Sequence, residues 1–228
     1  MSIIMNKKLK VGDIFFLQLN DSKKYIFGRI LFDVKKQYHK KIDSKIFSES
    51  YMPYLMMFYR ECQLVELYDG LYDQSNSYDN TSKIIIPRVL TQAIDSKWNI
   101  LNWGIIKNEP VDYTKVEFPE HLNIMSNIVK LDRGEISIKT NLNIKDNMID
   151  NFNSEMYVPA TIAYASLDFQ NKREFIPEDA RWPEYIKNGD LLYHPELRTK
   201  IYTELNIDPN KSYYELSKEM GFDLERFY

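Results

Sequence analysis

The sequence is poor in the residues that most often carry chemistry. Of 228 residues one is cysteine, Cys62, and three are histidine: His39, His121 and His194. A single thiol excludes an internal disulfide, which fits a reducing compartment. It also leaves no Cys-rich zinc site, and no two histidines stand at metal-ligand spacing. None of the patterns G-x-x-x-x-G-K-[ST], G-x-G-x-x-G and G-x-S-x-G occurs, so a standard phosphate loop or nucleophile elbow is excluded. Cys62 lies in the alternating run FYRECQLVELY and reads as a small buried hydrophobe. No apolar run reaches the roughly 18 residues that span a bilayer, and the start, MSIIMNKKLKVGD, lacks the apolar stretch of a secretory signal. The expectation is a cytoplasmic protein with no cofactor, no metal and no membrane association.

What is abundant is aromatic: 17 Tyr, 12 Phe and 3 Trp, against 7 Gly. Tyrosine buries its ring and keeps its hydroxyl wet, so such a composition suits either strands or protein contacts. Hydrophobic residues at 44% and charged ones at 28% are those of a globular chain. The net charge of −3 is uneven. Residues 1–50 carry 11 Lys/Arg against 5 Asp/Glu, residues 51–149 carry 10 against 13, and residues 150–228 carry 9 against 15. The basic start has its lysines scattered through turns and no Arg-rich helix, so it reads as a solvated face, and direct nucleic-acid binding is not expected. The acidic end is suited to steering a basic partner.

Along the chain the period-2 signal comes first. Val11, Ile14, Phe16 and Leu17 lead into LNDSKK, and Tyr25, Phe27, Ile30 and Phe32 follow, which is a hairpin with Asn/Asp/Ser turn chemistry. Gly12-Asp13 launches its first strand, and Gly28 inside the second marks a bulge or a close backbone approach. CQLVELYD reads as a strand, while Tyr51 to Tyr59 is crowded with apolar residues of no clear period. In KIIIPRVL, Pro87 demotes the run to an edge strand or a strand start. WGIIK is a further strand, and SNIVKLDRGEISIKT a second hairpin turning at Arg133-Gly134. TNLNIKDNMIDNFNSE reads as a linker or flap, and MYVPATIAYASLDF is compatible with strand or helix. Two helices carry start signals. Pro195 opens HPELRTKIYTEL, with Leu197, Ile201 and Leu205 on one face. Ser212 and Glu215 form a capping box that Gly221 terminates. The fold class is α+β. A mostly antiparallel β, barrel-like (SH3-like) domain over 1–122 is followed by an α+β extension over 123–228 with C-terminal helices.

Candidate chemistry is thin. PEDARWPE places Glu178, Asp179 and Glu184 beside an Arg and a Trp, an acid cluster with an aromatic platform, but one better explained as a proline-bounded surface loop with a buried Trp182. YDQSNSYDN lacks the Gly and terminal Glu of a calcium loop. His121 and Asp132 have no nucleophile beside them. No catalytic residue is assigned.

The stretch KVGDIFFLQLNDSKKYIFGRILF resembles the opening of the Imm26-type immunity proteins of bacterial polymorphic toxin systems. The resemblance rests on Gly12, Asp13, Phe27 and Gly28, on the later Trp strand and proline of NWGIIKNEPV (Trp103 and Pro110), and on Pro119 in EFPEH. It covers about residues 8–122, and the middle portion, Tyr38 to Ile86, departs freely. It implies a non-catalytic β-rich module that binds and neutralises a cognate toxin, a nuclease or another toxin acting in the cytoplasm, by blocking its active site. On that reading Gly12, Asp13, Phe27, Gly28, Trp103 and Pro110 hold the framework. The partner surface is assigned to Tyr72, Tyr78 and Asp79 of the polar loop and to the acidic Glu178, Asp179 and Glu184. VGDIFFLQL is also similar to the start of MazF/PemK-type ribonuclease toxins, but KYIFGRILF stands where their Arg-Pro strand is expected. A carboxylate-using hydrolase of glycans or nucleic acid, and a structural adaptor, complete the alternatives.

Overall fold

The computed structural model describes residues 8–47, 52–57, 61–125, 128–142, 156–180 and 184–228. The first hairpin is β1 (Asp13–Gln18) and β2 (Tyr25–Asp33), paired with Phe16 opposite Phe27 and Phe15 opposite Gly28. β3 (Cys62–Tyr68) and β4 (Ile84–Gln92) extend the sheet beyond β2, and β5 (Asn102–Asn108) pairs with β1 on the other side. The order is therefore β4-β3-β2-β1-β5, antiparallel throughout, and the sheet stays open, with β4 and β5 as its edges. Pro87 sits on edge strand β4, where a missing amide costs no ladder bond. A second antiparallel sheet joins β6 (Glu120–Met125), β7 (Ile128–Arg133) and β8 (Ile136–Lys139), with Gly134 at φ +61° in the last turn. Helices follow toward the C-terminus, so the class is α+β; the barrel-like part takes the form of an open sheet.

Of the crowded run from Tyr51 to Tyr59, α1 (Tyr54–Met57) is a single helical turn, and Tyr51 and residues 58–60 lie outside the described residues. Residues 143–155, most of the expected linker, also lie outside them. MYVPATIAYASLDF becomes α2 (Pro159–Phe169), started by a proline and lined by buried Ala160, Ala163 and Ala165, whose small side chains let it lie against β4. α3 (Glu184–Gly189), α4 (Pro195–Glu204) and α5 (Tyr213–Glu219) complete the chain. In α5 the Ser212–Glu215 capping box is closed in both directions, and Gly221 follows the helix at φ +86°.

Period-2 alternation gives the five-stranded sheet two apolar faces. Phe15, Leu17, Ile26, Ile30, Val65, Leu67 and Val89 point to one, beneath Ile162, Ala163 and Leu167 of α2. Ile14, Phe27 and Tyr68 point to the other, where half-buried Phe16, Tyr25, Tyr72, Tyr78 and Ile106 cover them. Phe32, Tyr38, Leu64, Phe118, Tyr213 and Phe227 pack together where the end of β2 meets the second sheet and the C-terminus. Leu197 and Ile201 of α4, with Leu205 just after it, pack with Leu122, Leu131 and Tyr202. The cores thus draw on residues from both sides of position 122.

A buried ionic cluster adds to this packing. Arg88 on β4 grips Asp190 with two bonds, Nε to Oδ2 at 2.8 Å and Nη2 to Oδ1 at 2.7 Å. Fully buried Glu120 accepts from Arg198 at 2.6 and 3.0 Å and from Arg88 at 3.4 Å, and lies 3.5 Å from Arg133 Nε. Arg133 also bonds Glu117, which accepts from the Tyr213 amide at 2.9 Å. Burial pushes Glu120 toward protonation, but the Arg198 hydrogen bonds and the charges of Arg88 and Arg133 outweigh it and hold its pKa below the ordinary glutamate value. Three arginines therefore surround one carboxylate and tie β4, β6, β7 and α4 together.

Candidate partner-binding surface

Of the residues expected to hold the framework, Gly12 and Asp13 meet the segment that leads to Pro110. Gly12 has φ +87°, its amide donates to Ile30 O at 2.8 Å, and its carbonyl accepts from the Glu109 amide at 2.9 Å. A Cβ there would strike the Glu109 carbonyl. Asp13 accepts from the Lys10 amide and from Asn108 Nδ2, both at 2.8 Å. Arg29 Nη2 donates to Pro110 O at 3.3 Å. The Gly-Asp start and the Asn-Glu-Pro segment, almost 100 residues apart, thus clasp one corner where β5 leaves the sheet. Gly28 is bare because the Phe15 ring and Leu67 occupy the space where its Cβ would stand. Phe27 is fully buried under Tyr72 and Tyr78, at ring-centre distances of 4.9 and 5.6 Å. Trp103 is half-buried on the α2 side of the sheet.

The residues expected to face a partner divide into two groups on different surfaces. Tyr72 and Tyr78 pack on the aromatic face; Tyr72 exchanges both backbone bonds with Tyr25, at 2.8 and 3.0 Å. Asp79 beside them is exposed and accepts from the Thr81 amide and hydroxyl at 3.0 and 2.8 Å. Glu178 and Asp179 are exposed in a short 3-10 turn after α2, on the opposite side of the sheet. Arg181, Trp182 and Pro183 lie outside the described residues, as does the side chain of Glu184.

The groups that resemble acid–base machinery are interior. Cys62 is buried, and burial pushes its thiol far up, away from the reactive thiolate. His121, opposite Asp132 across the β6–β7 ladder, is likewise buried; desolvation lowers its pKa, which keeps the imidazole neutral. His121 Nδ1 bonds Gly189 O. Its Nε2 has no partner among the described residues, and the residue lines a cavity shared with Arg88, Pro119, Tyr157 and Asp190 with room for about one water. Desolvation pushes Asp132 up to about 6.

What sequence reasoning missed lies at the two ends of the sheet. In the sequence Arg88 is part of an edge strand and nothing more, yet it anchors the ionic cluster. In the turn before β5, Trp98 and Ile100 are exposed at 74% and 71% of their surface, while Leu101 between them and the strand is buried. KWNILNW shows apolar residues in a polar turn, but only tertiary packing says which of them point outward.

Residues 10–122, just under half of the chain, match the model of the family Immunity protein 26. This is the family that the Gly-Asp start and the Trp103–Pro110 element resemble, over nearly the same stretch, and it is a family of immunity proteins. No curated protein and no solved structure matches the chain. No described helix is long and apolar enough to cross a membrane.

Proposed function

We propose that this chain is an immunity protein that binds a cognate bacterial toxin and neutralises it stoichiometrically by blocking its active cleft, with no chemistry of its own. The observation that carries the reading is the family match over residues 10–122; Gly12 and Asp13, on which the resemblance rests, meet the segment leading to Pro110 at a single corner. The interior position of Cys62, His121 and Asp132 supports a binding role over a catalytic one. A toxin that acts in the cytoplasm, a nuclease above all, fits the acid-rich end of the chain. Exposed Asp79, Glu178 and Asp179 are positioned to steer the cations with which a nuclease holds phosphate.

The test is co-expression with the toxin domain encoded by the neighbouring reading frame. The toxin alone should arrest growth; with this chain present growth should recover, and the two should co-purify one to one. Undiminished toxicity overturns the reading. So does turnover of nucleic acid or glycan by the purified chain that is lost in Glu178→Gln or Asp179→Asn.

A further inference from the structure

The geometry points to the open edge of β5, with the Trp98–Ile100 knuckle at its start, as the surface that takes the toxin, by adding an extended toxin strand to the sheet. This rests on the immunity reading above and assigns it a place and a binding mode.

The backbone register identifies which groups are free. Leu19 N donates to Lys24 O at the hairpin end, so odd-numbered residues of β1 turn their backbone toward β2 and even-numbered ones toward β5. Phe16 and Gln18 pair with Gly104 and Asn102, which therefore face β1. By alternation the amides and carbonyls of Trp103 and Ile105 face away from the sheet. Among the described residues no strand or bridge lies along that side. A row of unpaired donors and acceptors is satisfied fully by one kind of ligand, another extended backbone.

The side chains supply an anchor. The turn that carries Trp98 is held from within: Asn99 Nδ2 donates to Ile94 O at 2.9 Å, and the Leu101 amide donates to Asn99 Oδ1 at 3.0 Å. Below it the Ile94 amide bonds Gln63 at 2.9 Å, and Asp95 accepts from the Leu9 amide at 3.1 Å. A large exposed indole is thus presented from a turn whose backbone is already ordered, which lowers the ordering cost of binding and suits an interface hot spot. Lys97 stands over the Trp98 ring at 4.9 Å, and Lys8 is exposed beside Asp95. The complementary segment is an apolar strand with an acidic residue beside its anchor end.

A second copy of the chain fits this edge poorly. Antiparallel self-pairing sets the start of one β5 against the end of the other. That places Trp98 and Ile100 against Lys107 and Glu109, an ion pair with an N–O distance of 2.5 Å.

The experiment uses the full chain and the toxin domain of the neighbouring reading frame, read by calorimetry and residue-resolved amide exchange. On complex formation the Trp103 and Ile105 amides should slow sharply, while the Gly104 amide, already turned toward β1, changes little. Trp98→Ala and Ile100→Ser, both at exposed positions, should keep the melting temperature and weaken binding by about tenfold or more each. If the toxin is bound and neutralised but the two amides do not slow and both variants bind as tightly as the parent, this surface is wrong and the immunity reading survives. If the parent chain does not bind the toxin, both fall. If the chain alone is dimeric and already protects Trp103 and Ile105, the occupant is a second copy and the proposal is overturned.

Discussion

At β4 the five-stranded sheet ends against protein. Pro87 removes an amide, Tyr157 bonds Leu90 O at 3.1 Å and receives Gln92 N at 2.8 Å, and Arg88 turns into the ionic cluster with Asp190 and Glu120. At β5 the sheet ends among the described residues with no strand beyond it, and it is flanked by an exposed Trp and Ile. An unpaired edge is a hazard that folded proteins normally cover. Here one edge is closed by a proline, a bridge and charged groups held in the interior, and the other is not. The difference assigns stability to the first edge and recognition to the second.

The sharpest way to break that assignment is Glu120→Gln. Removing the carboxylate leaves the buried guanidinium groups of Arg88 and Arg133 and the partly buried one of Arg198 around a neutral amide, and loss of one partner in a buried ion pair costs roughly 3–5 kcal/mol. Urea unfolding should show this; a cost under about 1 kcal/mol would mean that the cluster does not close the β4 edge. The acid limb follows from the same carboxylate. Its folded pKa lies below its unfolded value, so its contribution is present above the ordinary glutamate pKa and fades as pH falls below it.

Next to the cluster, burial works in the opposite direction. Desolvation pushes Asp132 up to about 6 and Glu135 up to about 7, the latter against the pull of Arg226. A raised carboxylate binds its proton more tightly in the folded chain than in the unfolded one. Stability from these two groups therefore falls as pH rises from about 4 to about 7. Asp132→Asn should gain on the order of 2 kcal/mol at pH 8 and nothing near pH 4, since a tenfold change in proton affinity is worth about 1.4 kcal/mol. A flat difference across that range would contradict the sign.

The corner that holds β5 is milder. Gly12→Ala forces a side chain into positive φ and against the Glu109 carbonyl, and should cost roughly 1–3 kcal/mol by thermal or urea unfolding. It should also speed exchange of the Glu109 amide, because that bond ties β5 to β1. Trp98→Ala sits at the bottom of the scale, within about 0.5 kcal/mol of the parent in unfolding. A large stability loss there would show that the indole serves the fold, and the contrast between the two edges would collapse.

Much of the fold is legible in short stretches. LNDSKK marks its hairpin, Pro87 marks an edge strand, and the Ser212–Glu215 box marks a helix start, because each signal acts within a few residues of itself. MYVPATIAYASLDF stays ambiguous for a physical reason: a short run of small and β-branched residues satisfies a strand and a buried helix equally. Gly12, Asp13 and Pro110 are visible as unusual residues, but their meeting at one corner is not. The recognition edge is harder still. Trp103 and Trp98 stand five residues apart with similar neighbours, yet one covers a core and the other faces water.

By itself the sequence determined the α+β class, the hairpins, the caps and the likeness to an immunity family, since these depend on period, turn chemistry and local hydrogen bonds. Only the tertiary structure decided which edge of the sheet is closed. That outcome depends on charges brought together from positions 88, 120, 133, 190 and 198, and burial converts them from ordinary surface residues into a cluster whose partners must all be present. The same packing leaves the Trp103 and Ile105 backbone facing outward, because strand order, which no local signal encodes, places β5 last.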